Sequence, residues 1–271
     1  MPEAAWRFID TDLGDAYLNM AVDESMLDSH LRGDCPPTLR VYRWDRACLS
    51  LGYFQDVTRD VDVEWCRELD VEVVRRLTGG RAVLHGQDLT YCVVTSEAYD
   101  CPRALGESYR LLNRGLATAY GLLGLDVGEE VHAGAPTSAA CFLSAGRADL
   151  AFRGRKLCGS AQYRNGPGVL QHGSLPVRVD ADTLFAVLKF SSEAVRERAR
   201  AAFRARAVSL TEALGRSVGW IDMKQALVLG FQAALGVRLT AAALSPDELA
   251  QARALAVDKY RSLEWNLRGQ H

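Results

Sequence analysis

The sequence contains no Cys-x-x-Cys pair and no run of His and Cys at zinc-finger spacing, although it has seven cysteines, at positions 35, 48, 66, 92, 101, 141 and 158. That odd, scattered set argues against a disulfide framework and against a bound metal. It points to buried thiols in a reducing compartment, with one or two left for chemistry. No apolar run approaches the roughly 20 residues that cross a bilayer. The opening MPEAAWRFID has neither a basic start nor an apolar core, so no secretory signal is expected and the compartment expected is cytoplasmic. Charge of one sign is also lacking: 32 Lys+Arg against 34 Asp+Glu leaves −2, which removes any global electrostatic reason to bind nucleic acid. Internal repeats, low-complexity tracts and Pro/Ser-rich linkers are absent too, so no solenoid or flexible tether is expected.

What is present suits a folded, water-facing protein. Apolar residues make up 48% and charged residues 24% of the 271, ample for a sizeable core under an ordinary surface. Leu18, Val22 and Met26 recur at every fourth position, predicting a helix from about Ala16 to Leu31. Strand-like runs follow at 38–44, 47–53, 71–76 and 89–96, rich in β-branched and aromatic residues and separated by Gly and Asp. Helical spacing returns from Ala104 to Leu125, and a Gly-punctuated strand-like segment covers 148–177. After Asp180 the chain reads as almost wholly helical, with Ser245-Pro246 as the start of a last helix. Early strands and late helices predict an α+β fold.

Three stretches stand apart. In RRLTGGR at 75–81, Gly79 and Gly80 can bring backbone N–H groups close to a ligand, with Arg75, Arg76 and Arg81 around them. The same residues also suit a plain hairpin turn with solvated arginines. In GRKLCGSAQ at 154–162, Lys156 is a lysine within a strand, which is either an inward-facing acid/base group or an edge residue that blocks aggregation. His172, in QHGS, could orient a substrate or satisfy a buried hydrogen bond. The third stretch is PTSAACF at 136–142, whose Cys141 would need a nearby cation to be a reactive thiolate. Cys158 is its rival: it sits two residues from Lys156, so on a regular strand both would point to one face. Spacing does not separate the two cysteines.

Together RR-x-TGG-x-AV-x-H, GRK-x-x-GSAQ and HGS resemble the biotin/lipoate ligase and acyltransferase family, and the bacterial octanoyltransferase branch most of all. WRFID, NMAVDE at 19–24, LSLGYFQ at 49–55, TGGRAVLH at 78–85, the CF pair at 141–142 and KYRSLEWN at 259–266 extend the resemblance over nearly the whole chain. It implies a ligase-like catalytic domain with mixed, mainly antiparallel sheets flanked by helices, as one domain over 1–271 with a mostly helical part from about 181. It also implies that Cys141 is the nucleophile, that Cys158 is core, and that Lys156 stands at the acyl carbonyl. Arg75, Arg76, Thr78, Gly79, Gly80, Arg81, His85, Gly159, Ser160 and His172 are the implied substrate-binding residues.

The implied reaction moves octanoyl from acyl-carrier protein to Cys141 and then to a lysine of a lipoyl-domain protein, the glycine-cleavage H protein in this branch. No cofactor is implied, because thioester exchange is nearly isoenergetic and amide formation from a thioester is downhill. Burying an eight-carbon chain at ~0.8 kcal/mol per CH₂ would contribute roughly 5 kcal/mol, enough for a closed tunnel to select length. Two departures from the pattern stand out. Gly86 replaces an Asp after the histidine, so an acidic contact there is expected to be missing, and FLSAGRADLAFRGR between Cys141 and Lys156 lacks a family signature. The alternatives are an ATP-dependent lipoate–protein ligase, against which Arg81 stands in place of a third glycine, a lipoyl-domain amidotransferase, and a non-catalytic acyl-binding protein.

Overall fold

The computed structural model describes residues 4–129 and 149–267. Its strands are β1 (Ala4–Gly14), β2 (Thr38–Trp44), β3 (Cys48–Leu51), β4 (Glu72–Arg75), β5 (Val83–His85), β6 (Asp88–Ser96), β7 (Gly128–Glu129), β8 (Leu150–Phe152), β9 (Arg155–Asn165), β10 (Gly168–Pro176) and β11 (Val237–Ala241). Its helices are α1 (Ala16–Arg32), α2 (Val57–Asp60), α3 (Val63–Glu68), α4 (Leu105–Leu122), α5 (Ala181–Val187), α6 (Glu193–Arg206), α7 (Leu210–Leu214), α8 (Trp220–Leu235), α9 (Pro246–Leu255) and α10 (Leu263–Asn266), with a π-helical turn at Ala256–Tyr260.

The strands form a large sheet, in the order β11-β1-β2-β6-β10-β9-β8-β7, and a small one, in the order β4-β3-β5. In the large sheet β1 runs parallel to β2 and β11, and the remaining pairs are antiparallel. This is the α+β fold that the strand and helix pattern predicts, with the mixed, mainly antiparallel sheet that the resemblance implies. The stretch after Asp180 is not wholly helical, however. β11 completes the edge beside β1, with Trp6 opposite Leu239. Its five residues, VRLTA, follow Gly236, which ends α8 in a left-handed turn, and they are too few for a periodicity to register.

Both faces of the large sheet are covered, so its central strands carry apolar side chains on both sides. On β6, Leu89, Tyr91 and Val93 face the layer of α4 and α8, while Cys92 and Val94 face α1 and α9. The start of α9 at Ser245 is a full capping box: the Ser245 hydroxyl accepts from Glu248 N, and Glu248 accepts from Ser245 N. Glu248 is also fully buried against Arg7, with two N–H···O contacts of 2.9 and 2.7 Å, which ties this late helix to the first strand. The small sheet has its own core with α5 and α6, around Phe185 and Phe203. The two sheets meet along Trp44, Ser50, His85, Thr90 and Ser174, and a cavity opens there.

Candidate active site

The cavity has a volume of about 50 Å³ and is lined from both sheets and from α1. Met20 comes from α1, Tyr42 and Trp44 from β2, Ser50, Val83 and His85 from the small sheet, Gly159–Ala161 from β9, and His172–Ser174 from β10. Arg76 and Gly80 also line it. In the sheet register, Ala161 lies opposite His172, Ser160 opposite Gly173 and Gly159 opposite Ser174. The GSA and HGS triplets therefore meet across one strand pair, which is why both motifs contribute to one wall.

Gly80 has φ +92, a left-handed conformation that favours glycine. The preceding turn is packed against the next loop so closely that a β-carbon at Gly52 would stand 2.0 Å from the Gly80 carbonyl oxygen. Tyr53 N donates to Thr78 O at 2.8 Å across the same contact. The Gly79–Gly80 turn is thus set by main-chain contact rather than by its own side chains.

Arg75 and Arg76 have different duties from a ligand clamp. Arg75 is fully buried and lies outside the cavity lining. Its guanidinium donates to the carbonyl oxygens of Gly52, Tyr53 and Gln55 at 3.0, 3.0 and 2.8 Å, and to those of Trp265 and Asn266 at 3.0 and 3.2 Å. It joins the 52–55 turn to α10, the last helix among the described residues. Arg76 borders the cavity but is 5% exposed, and its N–H groups go to Thr78, Ser50, Gly79 and Arg81. Arg81 contributes its carbonyl to Arg76, and its half-buried side chain is not part of the lining.

The acidic contact expected to be missing after His85 is present. It comes from Asp88, three residues on, whose Oδ2 lies 2.7 Å from His85 Nδ1. Gly86, at φ +122, gives the sharp turn that returns the chain so that its own N–H donates to Asp88 Oδ1 at 3.1 Å. The indole of Trp44 stacks on the His85 ring with centroids 4.1 Å apart. Burial pushes the Asp88 carboxyl up, but His85 and the Ser174 hydroxyl outweigh it, and the group lies below the usual carboxylate range.

His172 has the same kind of support. Its Nδ1 lies 2.9 Å from Asp23 Oδ2 on α1, and its Nε2 lies 2.7 Å from the Thr78 hydroxyl. Burial holds the imidazole below its usual range, with Asp23 pulling the other way. Asp23 also binds Arg40 at 2.7 Å and the Tyr42 hydroxyl at 3.0 Å. Asp23, Ser50 and Asp88 were not singled out from the sequence. Asp23 had a signal: it falls on the apolar face of α1, with Met20 three residues before and Leu27 four after, all buried. A carboxylate there must be paired.

Lys156 is 6% exposed, and its ammonium donates to Asp149 Oδ2 at 2.6 Å. Lys156 and Cys158 do not share a face in the regular way. Ala151 pairs with Lys156 and the adjacent Leu150 pairs with Cys158, so β9 bulges at Leu157. Leu157 and Cys158 consequently both enter the core beside α4 and α8. Burial pushes the Cys158 thiol up to about 12, a value that makes it a poor nucleophile near neutral pH. Cys141 lies outside the described residues. Among the described residues, no group of His, Cys, Asp and Glu could hold a metal ion, and no helix is long and apolar enough to cross a membrane.

Comparison with known proteins places these features in context. The family described as the lipoyl protein ligase A/B catalytic domain matches residues 15–232. Proteins named Octanoyltransferase LipM are similar over almost their full length. The one from Kyrpidia tusciae is 44% identical, covering 97% of this chain and 98% of that protein. That from Anoxybacillus flavithermus is 39% identical, covering 99% and 100%, and that from Bacillus subtilis is 38% identical, covering 98% and 99%. Among solved structures, the bipartite lipoate protein ligase of Thermoplasma acidophilum, studied with its E2 lipoyl domain, superposes with a TM-score of 0.83 at 27% identity, covering 99% of both chains. A lipoate-protein ligase A bound with ATP gives 0.80 at 27% identity, covering 98% of both. The chain belongs to the lipoyl protein ligase A/B catalytic-domain family, on its LipM octanoyltransferase branch.

Proposed function

We propose that the chain is an octanoyltransferase that carries the acyl group on Cys141 between a carrier-protein thioester and a lysine of a lipoyl-domain protein. The observation that carries this reading is the full-length similarity to proteins named Octanoyltransferase LipM, at 38–44% identity. Two features of the cavity support it. The wall is largely carbon, as an aliphatic tail requires, and Ser160 adds a polar point on β9. The Ser160 hydroxyl lies 2.8 Å from Tyr91 Oη, which itself accepts from Gln171 Nε2 at 2.8 Å. The Ser160 hydroxyl also lies 3.9 Å from Cys158 Sγ, so Tyr91 and Cys158 hold it at the cavity wall.

In the first step the Cys141 thiolate attacks the donor's thioester carbon; a new C–S bond forms, the old one breaks, and the carrier leaves as a thiolate that takes up the proton Cys141 gave up on ionising. In the second the acceptor's ε-amine attacks the same carbon. A C–N bond forms, the bond to Cys141 breaks, and the amine proton returns to the departing sulfur. Lys156, with Asp149 beside it, supplies a positive charge that favours the thiolate and the oxyanion of each step. Among acceptors the glycine-cleavage H protein is the one proposed, and octanoyl acyl-carrier protein is the proposed donor.

A second reading is favoured by one observation: the likeness to lipoate ligases at TM-scores of 0.80 and 0.83. In that reading free acid and ATP would be required and Cys141 would be dispensable. Intact-mass measurement after mixing the protein with octanoyl acyl-carrier protein, without ATP, separates the two. The expected result is a hydroxylamine-sensitive adduct on wild type and on Cys158→Ser, and no thioester on Cys141→Ser. Strict dependence on ATP and free octanoate would overturn the transferase reading.

A further inference from the structure

Arg76 commits every donor it has to the protein. Its Nε donates to Thr78 Oγ1 at 3.2 Å, its Nη1 to Ser50 O and Oγ at 2.9 and 3.1 Å, and its Nη2 to the carbonyls of Gly79 and Arg81 at 2.9 and 2.8 Å. Those bonds use all of the guanidinium's N–H groups, and it has no acceptor to offer. Both hydroxyls that it touches lead to a histidine and then to a carboxylate. On one arm Thr78 Oγ1 is 2.7 Å from His172 Nε2, and His172 Nδ1 is 2.9 Å from Asp23. On the other, Ser50 Oγ is 2.8 Å from His85 Nε2, and His85 Nδ1 is 2.7 Å from Asp88.

A cation in the middle and carboxylates at both ends leave one consistent order of protons. Each hydroxyl accepts from Arg76 and donates outward to an imidazole Nε2, and each imidazole carries its proton on Nδ1 and donates it to a carboxylate. The other polar groups of the wall obey the same order. Ser174 and Thr90 donate to Asp88 at 2.6 and 3.0 Å, Trp44 Nε1 donates to Thr90 at 2.9 Å, and Tyr42 donates to Asp23 at 3.0 Å. We propose that Arg76 is a positioning residue that orders this network, holding both histidines as Nδ1–H tautomers so that a wall built of polar side chains turns its donors inward and presents carbon to an aliphatic acyl chain. The acyl-chain clause rests on the function proposed above.

The groups that bear on the two rings come from every neighbouring element. His172 meets Asp23 from α1, Arg40 and Tyr42 through that carboxylate from β2, Cys92 opposite it on β6, and Thr78 with Arg76 behind. His85 meets Asp88 from β6, Ser50 and the facing Cys48 from β3, and the Trp44 ring from β2. Protonating either ring at Nε2 would place two donors against one hydroxyl and force its proton into the cavity. The device therefore predicts a change in chain selectivity as well as in rate.

Nitrogen NMR of histidine-labelled protein at pH 7.5 reads the ring states without turnover. In wild type both rings are expected to be neutral and protonated at Nδ1. Thr78→Val is expected to alter the His172 ring alone and Ser50→Ala the His85 ring alone. Arg76→Lys, a point charge that does not span both hydroxyls, is expected to alter both. Preference for an octanoyl donor over its 8-hydroxyoctanoyl analogue, measured as the ratio of kcat/KM, is expected to fall about tenfold in Arg76→Lys. A charged or Nε2–H ring in wild type would overturn the proposal. So would single-arm variants that disturb both rings alike, or an unchanged ratio with altered rings. A chain that transfers no octanoyl yet shows this ring pattern would uphold the ordering and overturn only the substrate class.

Discussion

Replacing Gly52 by alanine tests whether the glycine turn is set by main-chain contact. The added carbon would lie 2.0 Å from Gly80 O, 2.8 Å from Gly80 C and 3.1 Å from Gly79 C, whereas ordinary contact begins at 3.4 Å. All of these are backbone atoms, so no side chain can swing aside, and the two turns must part by about 1.4 Å. That opening strains Tyr53 N–H to Thr78 O and Arg76 to Gly79 O, which are 2.8 and 2.9 Å long. Two such bonds contribute about 1 kcal/mol each, and overpacking typically costs 1–3 kcal/mol more, roughly. A loss of about 3 kcal/mol corresponds to a Tm lower by roughly 6–12 °C in a protein of this size. Because the turn borders the cavity, acyl transfer measured below both melting points should fall by about 100-fold, the usual effect of a misplacement of about 1 Å. Calorimetry and a transfer assay on the purified variant check both numbers. A Tm and rate equal to wild type would refute the steric reasoning, and lost stability with an intact rate would show that the turn does not position the substrate.

Acidification should destabilise the protein in two stages. Burial holds His172 and His30 below the usual range, so they stay neutral in the folded chain while the unfolded chain takes up protons at about pH 6.5; stability present above that pH is lost below it. Asp23 is pushed up by burial but held low by Arg40 and His172, and Asp88 by His85, so a second loss should come as pH falls below about 4. Urea midpoints between pH 8 and 5 measure the first stage, and a flat profile would contradict it. Burial also raises the thiols of Cys158 and Cys66 to about 12 and about 11. Native protein alkylated at pH 8 should yield peptides unlabelled at both positions; labelling of Cys158 at the rate of a free cysteine would mean that it is accessible and ionised.

Local order was legible in the sequence where period and punctuation agreed. The helix expected from Ala16 is α1, the run at 38–44 is β2, and Ser245-Pro246 opens α9 with the capping box that its Glu248 completes. The Gly-punctuated segment is the three strands β8, β9 and β10, with Gly154 and Gly166 at positive φ in the turns between them. What was not legible depends on long-range pairing. The bulge at Leu157 reverses the expected relation of Lys156 to Cys158, and it exists only because β8 opposes two residues of β9 with one. The carboxylates that hold the histidines come from positions three and 149 residues away, and spacing along the chain says nothing about such partners. Gly86, read as the loss of an acid, turned out to be the bend that admits Asp88.

The tie between Arg75 and the last helix also bears on how the protein is made. Arg75 sits beside the turn it supports, but its acceptors at Trp265 and Asn266 lie 190 and 191 residues later. At ribosomal speeds of roughly 5–20 residues per second, that interval lasts about 10–40 s. Throughout it the nascent chain carries an arginine whose final berth has not been synthesised. The 52–55 turn therefore gains this strut only after residues 265 and 266 have been made, and until then the nascent chain holds the turn without it.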